Sequence, residues 1–445
     1  MISFRYYKTT FTLARQEKTR YDTTMDLAVV ILAAGSGTRM KSKLPKVMHQ
    51  VAGKPMVCHV VEEAGALNPT RLILVVSPNN QPVKDCLSEN EVEYAVQEEQ
   101  LGTAHAVLQA SALLQNFEGN ILVLYGDTPL IEASSLRELV TFHEETGASA
   151  TVVTAQLDNP FGYGRIIRSE SGITGIIEEK DASPAQRSIK EVNSGMYCFK
   201  SQALFEKIKE VKADNRQKEY YLTDVIGLLV GEGALVEGFE LEPEHIFGVN
   251  SRSELALANQ LINNRIVNKW LDNGVTIIDP ANTYIEKDVE IGAETIIYPY
   301  SVLRGKIKIG ASCEIGPFAH LRPGTVVGDK GKVGAFSEVK NSLIGTGSKV
   351  PHLSYIGDTE IGEGVNIGAG SITCNYDGRK KHKTVIKKGA FIGSDTMLVA
   401  PVTVGENAYT GAGSVISKDV PDEALGLERS EQKNIKDYAK KKKGG

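Results

Sequence analysis

A glycine-rich turn and two cationic side chains follow the first apolar run of the chain. The turn spans Gly35 to Arg39 (Gly-Ser-Gly-Thr-Arg), and Lys46 comes soon after it, directly behind a proline. Backbone N–H groups in such a turn can approach a phosphate closely, and Arg39 and Lys46 can offset the charge of a triphosphate. The string matches neither the dinucleotide fingerprint nor the Walker motif. Taken alone, it predicts a phosphate site and leaves the ligand open.

A carboxylate ends a second apolar run. Asp127 closes the string Tyr-Gly-Asp directly after the apolar residues Ile121 to Leu124. An aspartate in this position can be a simple turn residue, and in isolation we would interpret it so. Here the same chain already carries a candidate triphosphate turn, which favours a role for Asp127 at a shared ligand-binding edge.

His352 is the candidate for proton transfer in the second half. It follows the aliphatic Val350 by two residues and need not point into the interior. An imidazole titrates near the working pH of most enzymes, which suits a general base. Because a lone histidine is more often structural, its polar neighbours must decide its role.

The first half alternates short apolar runs with helical stretches, which predicts an α/β domain with a mostly parallel, Rossmann-like sheet. The runs Leu27 to Ala33, Arg71 to Val76 and Ile121 to Tyr125 each end at loop-forming residues. Such loops lie at the carboxyl edge of a parallel sheet, where open α/β folds bind ligands. We predict this α/β domain over residues 26–252 and a linker helix over residues 253–273.

After the helix, aliphatic residues recur at every sixth position. This period predicts a left-handed parallel β-helix of hexapeptide repeats, in which three units form one triangular coil around an aliphatic axis. Glycine often follows the aliphatic residue, and we expect it to permit a corner conformation that a side chain would resist. We predict this domain over residues 274–430, interrupted by a basic loop from Cys374 to Thr384. The repeating residues include Ile285, Ile291, Ile297, Leu303, Ile309, Ile315, Leu321, Val327, Val333 and Val339.

Composition sets the outer limits. At 445 residues the chain is too long for one growing core, so at least two domains are expected. A net charge of -5 and the lack of a long apolar run predict neither a nucleic-acid nor a membrane partner. Five widely spaced cysteines without a C-x-x-C pair favour a reducing cytoplasm. We interpret residues 1–25 as a disordered extension or the result of an upstream start codon, with Met25 as the functional start and a transit peptide as the alternative. We interpret residues 431–445 as a solvated basic tail.

Longer motifs carry a resemblance to a known family. The string Gly-x-Gly-Thr-Arg-Met, followed four residues later by Pro-Lys, resembles the sugar-1-phosphate nucleotidyltransferases. Further motifs resemble the bifunctional N-acetylglucosamine-1-phosphate uridyltransferases, and the resemblance covers roughly residues 26 to 430. These motifs lie at Gln97–Ala106, Tyr125–Asp127, Gly162–Arg165, Glu178, Asn193–Gly195, Glu219–Asp224, Arg322–Gly324, Lys340, Tyr355, Asn366 and Asn375–Gly378.

The resemblance implies uridylyl transfer from UTP in the first domain. Asp127 and Asn250 would hold Mg²⁺, which prefers hard oxygen ligands and completes its shell with water and phosphate. Arg39 and Lys46 would act in catalysis by neutralising charge, because in-line attack by a sugar phosphate needs no covalent nucleophile.

The same resemblance implies how the sugar nucleotide is held. Gly164, Glu178 and Asn193 would bind the sugar and its acetamido group. The remaining implied contacts to UTP or the UDP-sugar are Leu32, Ala33, Ala34, Gly35, Lys46, Gln97, Gly102, Thr103, Tyr125 and Gly126.

In the β-helix the resemblance implies an acetyltransferase. His352 would accept a proton from the 2-amino group of glucosamine 1-phosphate as that group attacks acetyl-CoA. Arg322 and Lys340 would bind the sugar phosphate, and Tyr355 and Asn366 the sugar. A solenoid face seldom encloses a ligand alone, so we expect the site to form within a homotrimer. The implied acetyl-CoA contacts are Ala369, Asn375, Tyr376, Ser394, Ala412 and Arg429.

The whole resemblance implies a cytoplasmic enzyme that makes UDP-N-acetylglucosamine for peptidoglycan and lipopolysaccharide. Two alternatives stay open at this point. The uridylyl site could serve another sugar phosphate or be the only active site, or the β-helix could be a non-catalytic oligomerisation module. A bare scaffold would not require His352, Arg322 and Lys340, which favours two active sites.

Overall fold

The computed structural model describes residues 26–35, 37–170 and 172–443. The extension expected over residues 1–25 therefore lies outside the described part, as does Ser36 of the glycine-rich turn. Within those described ranges, no helix is both long and apolar enough to cross a membrane.

The first half of the chain forms a sheet flanked by helices. Its strands are β1 (Leu27–Leu32), β2 (Gln50–Val51), β3 (Lys54–Pro55), β4 (Arg71–Val76), β5 (Glu93–Val96), β6 (Asn120–Tyr125), β7 (Ala150–Gln156), β8 (Gly164–Ser169), β9 (Gly172–Ile177), β10 (Glu191–Lys200) and β11 (Val236–Glu240). Its helices are α1 (Met56–Gly65), α2 (Gln81–Cys86), α3 (Thr103–Gln109), α4 (Ala133–Thr146), α5 (Pro184–Arg187), α6 (Ser201–Lys207) and α7 (Thr223–Gly231).

The main sheet runs in the order β11-β7-β10-β6-β1-β4-β5, with the hairpin β8-β9 attached to β10. The central strand β1 is buried throughout and pairs in parallel with both β4 and β6. Strand β10 is antiparallel to β6 and β7. The predicted mostly parallel sheet is thus confirmed. Because β1, β4 and β6 are parallel neighbours, their carboxyl ends open at one edge.

A long helix, α8 (Arg252–Asp272), joins the two halves. The Ser251 hydroxyl caps its first turn by accepting the Glu254 N–H. Asn259 Oδ1 accepts the Ala52 N–H of the first domain at 2.9 Å. One turn later, the buried Asn263 accepts the Ile285 N–H of the first β-helix coil at 2.9 Å. These amides fix the helix to both domains.

The second half winds into three faces of short parallel strands. The first face holds Thr276–Ile277, Ile296–Ile297, Glu314–Ile315, Lys332–Ala335, Lys349–His352, Asn366–Ile367, Phe391–Ile392, Tyr409–Thr410 and Leu425–Gly426. The second holds Tyr284–Ile285, Val302–Leu303, His320–Leu321, Glu338–Lys340, Tyr355–Gly357, Ile372–Cys374, Met397–Val399 and Val415–Ile416. The third holds Val289–Ile291, Ile307–Ile309, Val326–Val327, Leu343–Ile344, Thr359–Ile361, Thr384–Ile386 and Val402–Val404.

Strand register confirms the predicted parallel β-helix of hexapeptide repeats, and the stack is consistent with a left-handed coil. Ile297 pairs with Ile315 and Ile315 with Val333, so a regular coil takes 18 residues. The aliphatic side chains at the six-residue steps are buried along one continuous axis. Asn366 pairs with Phe391, so this coil is longer and contains the predicted Cys374–Thr384 loop.

The expected role of the repeat glycines is wrong for most of them, although Gly316, with a φ of +97°, does adopt the left-handed conformation. Gly292 and Gly345 do not adopt the left-handed conformation, whereas many corner residues that do are not glycine. A Cβ on Gly292 would lie 2.6 Å from the Ala311 backbone nitrogen, and one on Gly345 would lie 2.5 Å from the Gly362 carbonyl carbon. These glycines are needed because successive coils stack too closely for a side chain.

The chain after Leu427 leaves the coil. Residues 428–442 are exposed, and the segment ends in a short helix, α9 (Tyr438–Lys443). This segment holds most of the tail interpreted above as basic and solvated.

Candidate active sites

A cleft of about 380 Å³ opens at the carboxyl edge of the first sheet. The turn after β1, the end of β6 and the start of α3 form its walls. The structure thus brings together implied binding residues from five separate segments of the chain. The implied nucleotide-binding residues that line the cleft are Leu32, Ala33, Ala34, Gly35, Lys46, Gln97, Gly102, Thr103, Tyr125, Asp127 and Asn250.

A charged centre lies at the floor of this cleft. The Lys46 ammonium donates to the Asp127 carboxylate and, at 3.0 Å, to Asn250 Oδ1. Arg39 Nη2 donates to the same Asn250 oxygen at 2.9 Å. Gly37 has a φ of +60°, and a Cβ there would lie 2.5 Å from Lys46 Cβ. Only glycine at position 37 lets the turn pass this close to the side chain of Lys46.

The oxygen atoms of this centre suit a hard divalent cation. Asp127 and Asn250 already converge on one positive charge, that of Lys46. In the described part of the chain, no group of three or more His, Cys, Asp or Glu side chains could hold a metal. One carboxylate and one amide oxygen fit Mg²⁺, which takes further oxygens from phosphate and water.

The three residues implied in sugar binding lie side by side. Gly164 on β8 pairs with Asn193 on β10, and a Cβ on Gly164 would lie 3.6 Å from Glu178 Oε2. Burial raises the pKa of the Glu178 carboxyl above its ordinary value, and the nearby charge of Asp181 adds to this. The carboxyl therefore holds its proton more tightly than an exposed glutamate does.

This group adjoins the cleft through Tyr125. Gly195 has a φ of +86°, and a Cβ there would lie 2.8 Å from the Tyr125 ring. The Tyr125 hydroxyl is hydrogen-bonded to Thr103, and burial raises its pKa. Tyr125 therefore lies between the residues implied in sugar binding and Thr103, which lines the nucleotide cleft.

In the β-helix, His352 and Tyr355 flank the corner between the first and second faces, and Asn366 lies on the first face. His352 ends a first-face strand, is exposed, and pairs in register with Ala335. Tyr355 begins the next strand on the second face, where it pairs with Glu338. Asn366 lies one coil further along the first face, opposite Lys349.

Cations cluster at the far end of the second-face strands. The neighbouring Lys381 ammonium lowers the pKa of Lys340, and the Arg322 guanidinium lowers it further. Arg322 also donates to Glu338 Oε1 at 2.7 Å. Two ammonium groups in contact leave positive charge that an anion such as a phosphate would neutralise.

The Cys374–Thr384 loop is a hairpin that supplies Lys381. Tyr376 and Lys381 form its antiparallel bridge, and Tyr376 remains 62% exposed. Backbone N–H groups of Lys380 and Arg379 bind the Asp377 carboxylate, which holds its pKa far below the usual range. The side chain of Asn375 donates to Asp358 Oδ2 at 2.5 Å. The loop is thus tied both internally and to the preceding coil.

The other residues implied in acetyl-CoA binding form a row along the β-helix. Asp395 N donates to the Ala369 carbonyl at 2.7 Å, and Gly413 N to the Ser394 carbonyl at 2.8 Å. Arg429 Nη1 donates to the Ala412 carbonyl at 3.1 Å. Residues from successive coils therefore stack parallel to the axis, where an extended ligand could lie.

Comparison with known proteins decides the family. The bifunctional protein GlmU of Brevibacillus brevis is 51% identical over 93% of this chain and 97% of its own length. GlmU of Geobacillus sp. is 48% identical over 92% of this chain and 96% of its own length. The chain belongs to the GlmU family. This membership confirms the resemblance drawn from the motifs.

Family models match both halves of this GlmU-family chain. The nucleotidyl transferase model matches residues 28–276, and the bacterial transferase hexapeptide model (six repeats) matches residues 383–418. A solved UDP-glucose pyrophosphorylase complexed with UDP-glucose is 20% identical over 54% of this chain and 100% of its own, at a TM-score of 0.45. That likeness is too distant to inform the chemistry.

Three residues at the GlmU-family sites escaped the sequence-based assignment. Gln100 and Glu219 line the first cleft, and Gln100 Nε2 donates to the Ala34 carbonyl at 2.6 Å. Lys381 contacts Lys340 in the β-helix. Gln100 and Glu219 stand inside quoted motifs and Lys381 inside the basic loop, so the signal for all three was proximity to motif residues.

A substitution at Gly102 tests whether this part of the cleft lining shapes the UTP site. Its φ is +117°, and a Cβ there would lie 2.7 Å from the Tyr220 backbone nitrogen and closer still to its carbonyl oxygen. We expect Gly102→Ala to strain this turn by about 1–3 kcal/mol and to raise KM for UTP in the GlmU-family uridylyl reaction. Steady-state kinetics and thermal unfolding measure the two effects.

Gly175→Ala is the matched control for this prediction. Gly175 has no left-handed φ, and no atom lies within 4 Å of its Cβ position. It should leave KM for UTP unchanged. Equal kinetic behaviour of the two variants would show that the Gly102 conformation does not shape the nucleotide site.

Proposed function

We propose that this chain makes UDP-N-acetylglucosamine by two successive transfers. The β-helix N-acetylates glucosamine 1-phosphate with acetyl-CoA, and the first domain then transfers a uridylyl group from UTP to the N-acetylated product. The observation that carries this proposal is the 51% identity to the GlmU of Brevibacillus brevis. The matched region covers 93% of this chain and includes both sites. The product supplies peptidoglycan and lipopolysaccharide synthesis.

In the first reaction centre, a phosphate oxygen of N-acetylglucosamine 1-phosphate attacks the α-phosphorus of UTP. The bond from that phosphorus to the bridging oxygen breaks, and pyrophosphate leaves. Lys46 and Arg39 stabilise the charge on the triphosphate, and the backbone of the turn orients it. Mg²⁺, held by Asp127 and Asn250, would supply further charge neutralisation. No side chain needs to form a covalent intermediate.

Selection of the acetamido sugar falls to the group around Glu178. Burial raises the pKa of the Glu178 carboxyl, which favours its protonated form. A protonated carboxyl can donate a hydrogen bond as well as accept one. Asn193 offers an amide, although its Nδ2 is already bonded to Tyr197 at 2.7 Å. Gly164 leaves room for the ring where a side chain would contact Glu178.

In the second reaction centre, His352 accepts a proton from the 2-amino group of glucosamine 1-phosphate. The amine nitrogen attacks the thioester carbonyl of acetyl-CoA, and the CoA thiolate leaves. Arg322, Lys340 and Lys381 hold the substrate phosphate by charge. The row that includes Ala369, Ser394 and Ala412 would receive the extended cofactor.

We propose that the β-helix assembles this enzyme into a homotrimer. A single chain leaves the acetyl site open, since His352 and Tyr376 are exposed. Tyr300, Phe318 and Phe336 also stack along one corner, with ring centroids 4.9 Å apart, and are 45–60% exposed. A neighbouring subunit would cover such apolar surface.

All five cysteine thiols are free, which fits a location in the reducing cytoplasm.

A paired assay with chelator tests both reactions on the same preparation. Excess EDTA should abolish pyrophosphate release from UTP and N-acetylglucosamine 1-phosphate, because Mg²⁺ neutralises the triphosphate. CoA release from acetyl-CoA and glucosamine 1-phosphate should continue, since His352 chemistry needs no metal. Added Mg²⁺ should restore the first activity.

Two outcomes would overturn the proposal. Undiminished pyrophosphate release in excess EDTA would exclude a metal-dependent first site. No CoA release under any condition, with pyrophosphate release intact, would favour the alternative of a non-catalytic oligomerisation domain.

A further inference from the structure

Two cysteines that are distant in sequence lie together beside the uridylyl cleft. Cys58 is in the first turn of α1, and Cys86 is the last residue of α2. Their sulfur atoms are 3.4 Å apart, with the Cys58 thiol donating to Cys86 Sγ. Cys58 is buried and Cys86 is partly exposed. No spacing in the sequence indicates this pair.

The cysteine pair is connected to Lys46 of the charged centre through Met48. Cys86 Sγ also lies 3.7 Å from Met48 Sδ. Met48 ends the short 3₁₀ helix that begins at Lys46, and the intervening Val47 lines the cleft. A displacement of Cys86 would therefore be transmitted to Lys46 through the single 3₁₀ turn from Lys46 to Met48.

We propose that Cys58 and Cys86 form a redox-active dithiol whose oxidation to a disulfide slows uridylyl transfer by displacing Lys46. Cys86 is the thiol that reacts first. It is the more exposed of the two, and the hydrogen bond from Cys58 lowers its pKa.

The oxidant is a small disulfide such as oxidised glutathione. The Cys86 thiolate attacks one glutathione sulfur and releases the other glutathione as a thiolate. The Cys58 thiol then attacks Cys86 Sγ and displaces the second glutathione, which takes up the Cys58 proton and leaves as a thiol. The two protein thiols lose two electrons in total, and oxidised glutathione becomes two reduced molecules.

Closure requires movement at the cleft wall. A disulfide bond is about 2.05 Å long, so the two sulfurs must approach by over 1 Å. Cys58 lies within α1 and is packed in the core, so the end of α2 and its contact with Met48 are the parts that shift. Misplacing a catalytic group by about 1 Å can cost about 100-fold in rate. This effect rests on the proposed uridylyl site, whereas the bond itself does not.

The test treats the full-length protein with oxidised glutathione. Peptide mapping should find Cys58 and Cys86 joined, and kcat/KM for UTP should fall about ten- to 100-fold. Dithiothreitol should reverse both changes. Phenylarsine oxide, which bridges neighbouring thiols, should block the same pair in the reduced enzyme.

Two variants make the result specific. Cys86→Ser should keep the reduced activity and lose the sensitivity to oxidised glutathione. Cys374→Ser is the matched control, because it removes a partly exposed thiol of the β-helix and should remain as sensitive as the parent protein. CoA release in the Cys374→Ser protein should not change on oxidation.

Several results would overturn the proposal. One is an oxidised protein in which Cys58 and Cys86 still react as free thiols. Another is a joined pair with unchanged kcat/KM for UTP, and a third is a Cys86→Ser protein that remains sensitive. If the protein has no uridylyl activity at all, the proposed function fails, while mapping still reports on the bond.

Discussion

Replacing His352 with alanine is expected to lower kcat for acetyl transfer by about 10²- to 10⁴-fold, the usual contribution of a general base. The 2-amino group would then lose its proton only to water. KM for glucosamine 1-phosphate should change little, because Arg322, Lys340 and Lys381 bind the phosphate independently of the imidazole. CoA release measures the loss, and pyrophosphate release from the first domain should be unaffected.

Lys349→Ala is the matched control for this variant. Lys349 and His352 are exposed residues of one β-strand, Lys349–His352, so both changes disturb the same coil to a similar degree. The control should retain acetyl transfer. A His352→Ala protein that releases CoA at the parent rate would remove the imidazole from the mechanism, and loss in both variants would point to damage of the coil.

Replacing Asp127 with alanine is expected to lower kcat for uridylyl transfer by about 10²- to 10³-fold, as when one electrostatic group at a transition state is lost. The change removes a proposed Mg²⁺ ligand and the anionic partner of Lys46. Raising the Mg²⁺ concentration should restore activity only partly, since Asn250 alone binds the metal weakly. Asp127→Asn, which keeps an oxygen ligand, should retain more activity than the alanine variant.

Asp158→Ala is the control for Asp127. Asp158 is fully exposed in the same domain and pairs with Lys190 away from the cleft. It should leave pyrophosphate release unchanged, and both aspartate variants should retain CoA release. If Asp127→Ala abolished both activities while the protein stayed folded, the two sites would not be independent.

Several features of the fold follow from local sequence. A six-residue aliphatic period specifies a coil because each hexapeptide packs mainly against its neighbours in the stack. The parallel sheet was foreseeable for a similar reason, since buried apolar runs such as Leu27–Leu32 and Arg71–Val76 ended at loop residues. The glycines show the limit of this reasoning. Their spacing was visible, but the close stacking of coils that requires them was not.

Within the sites, sequence motifs identified the residues one segment at a time. Gly35, Gln97, Gly102 and Tyr125 were each placed near a ligand by the resemblance of their own motif. Gln100, Glu219 and Lys381 were not, although each stands inside a named motif or the basic loop. Whether their side chains turn toward the cleft or toward Lys340 depends on tertiary packing.

The sequence by itself determined the two architectures and the family of this chain, because periodicity and contiguous motifs are local properties that survive without coordinates. The tertiary structure alone decided which groups meet. Lys46 contacts Asp127 and Asn250, which are 81 and 204 residues further along the chain, and Cys58 meets Cys86 across 28 residues. Such contacts depend on how strands and helices pack, and no local pattern records that packing.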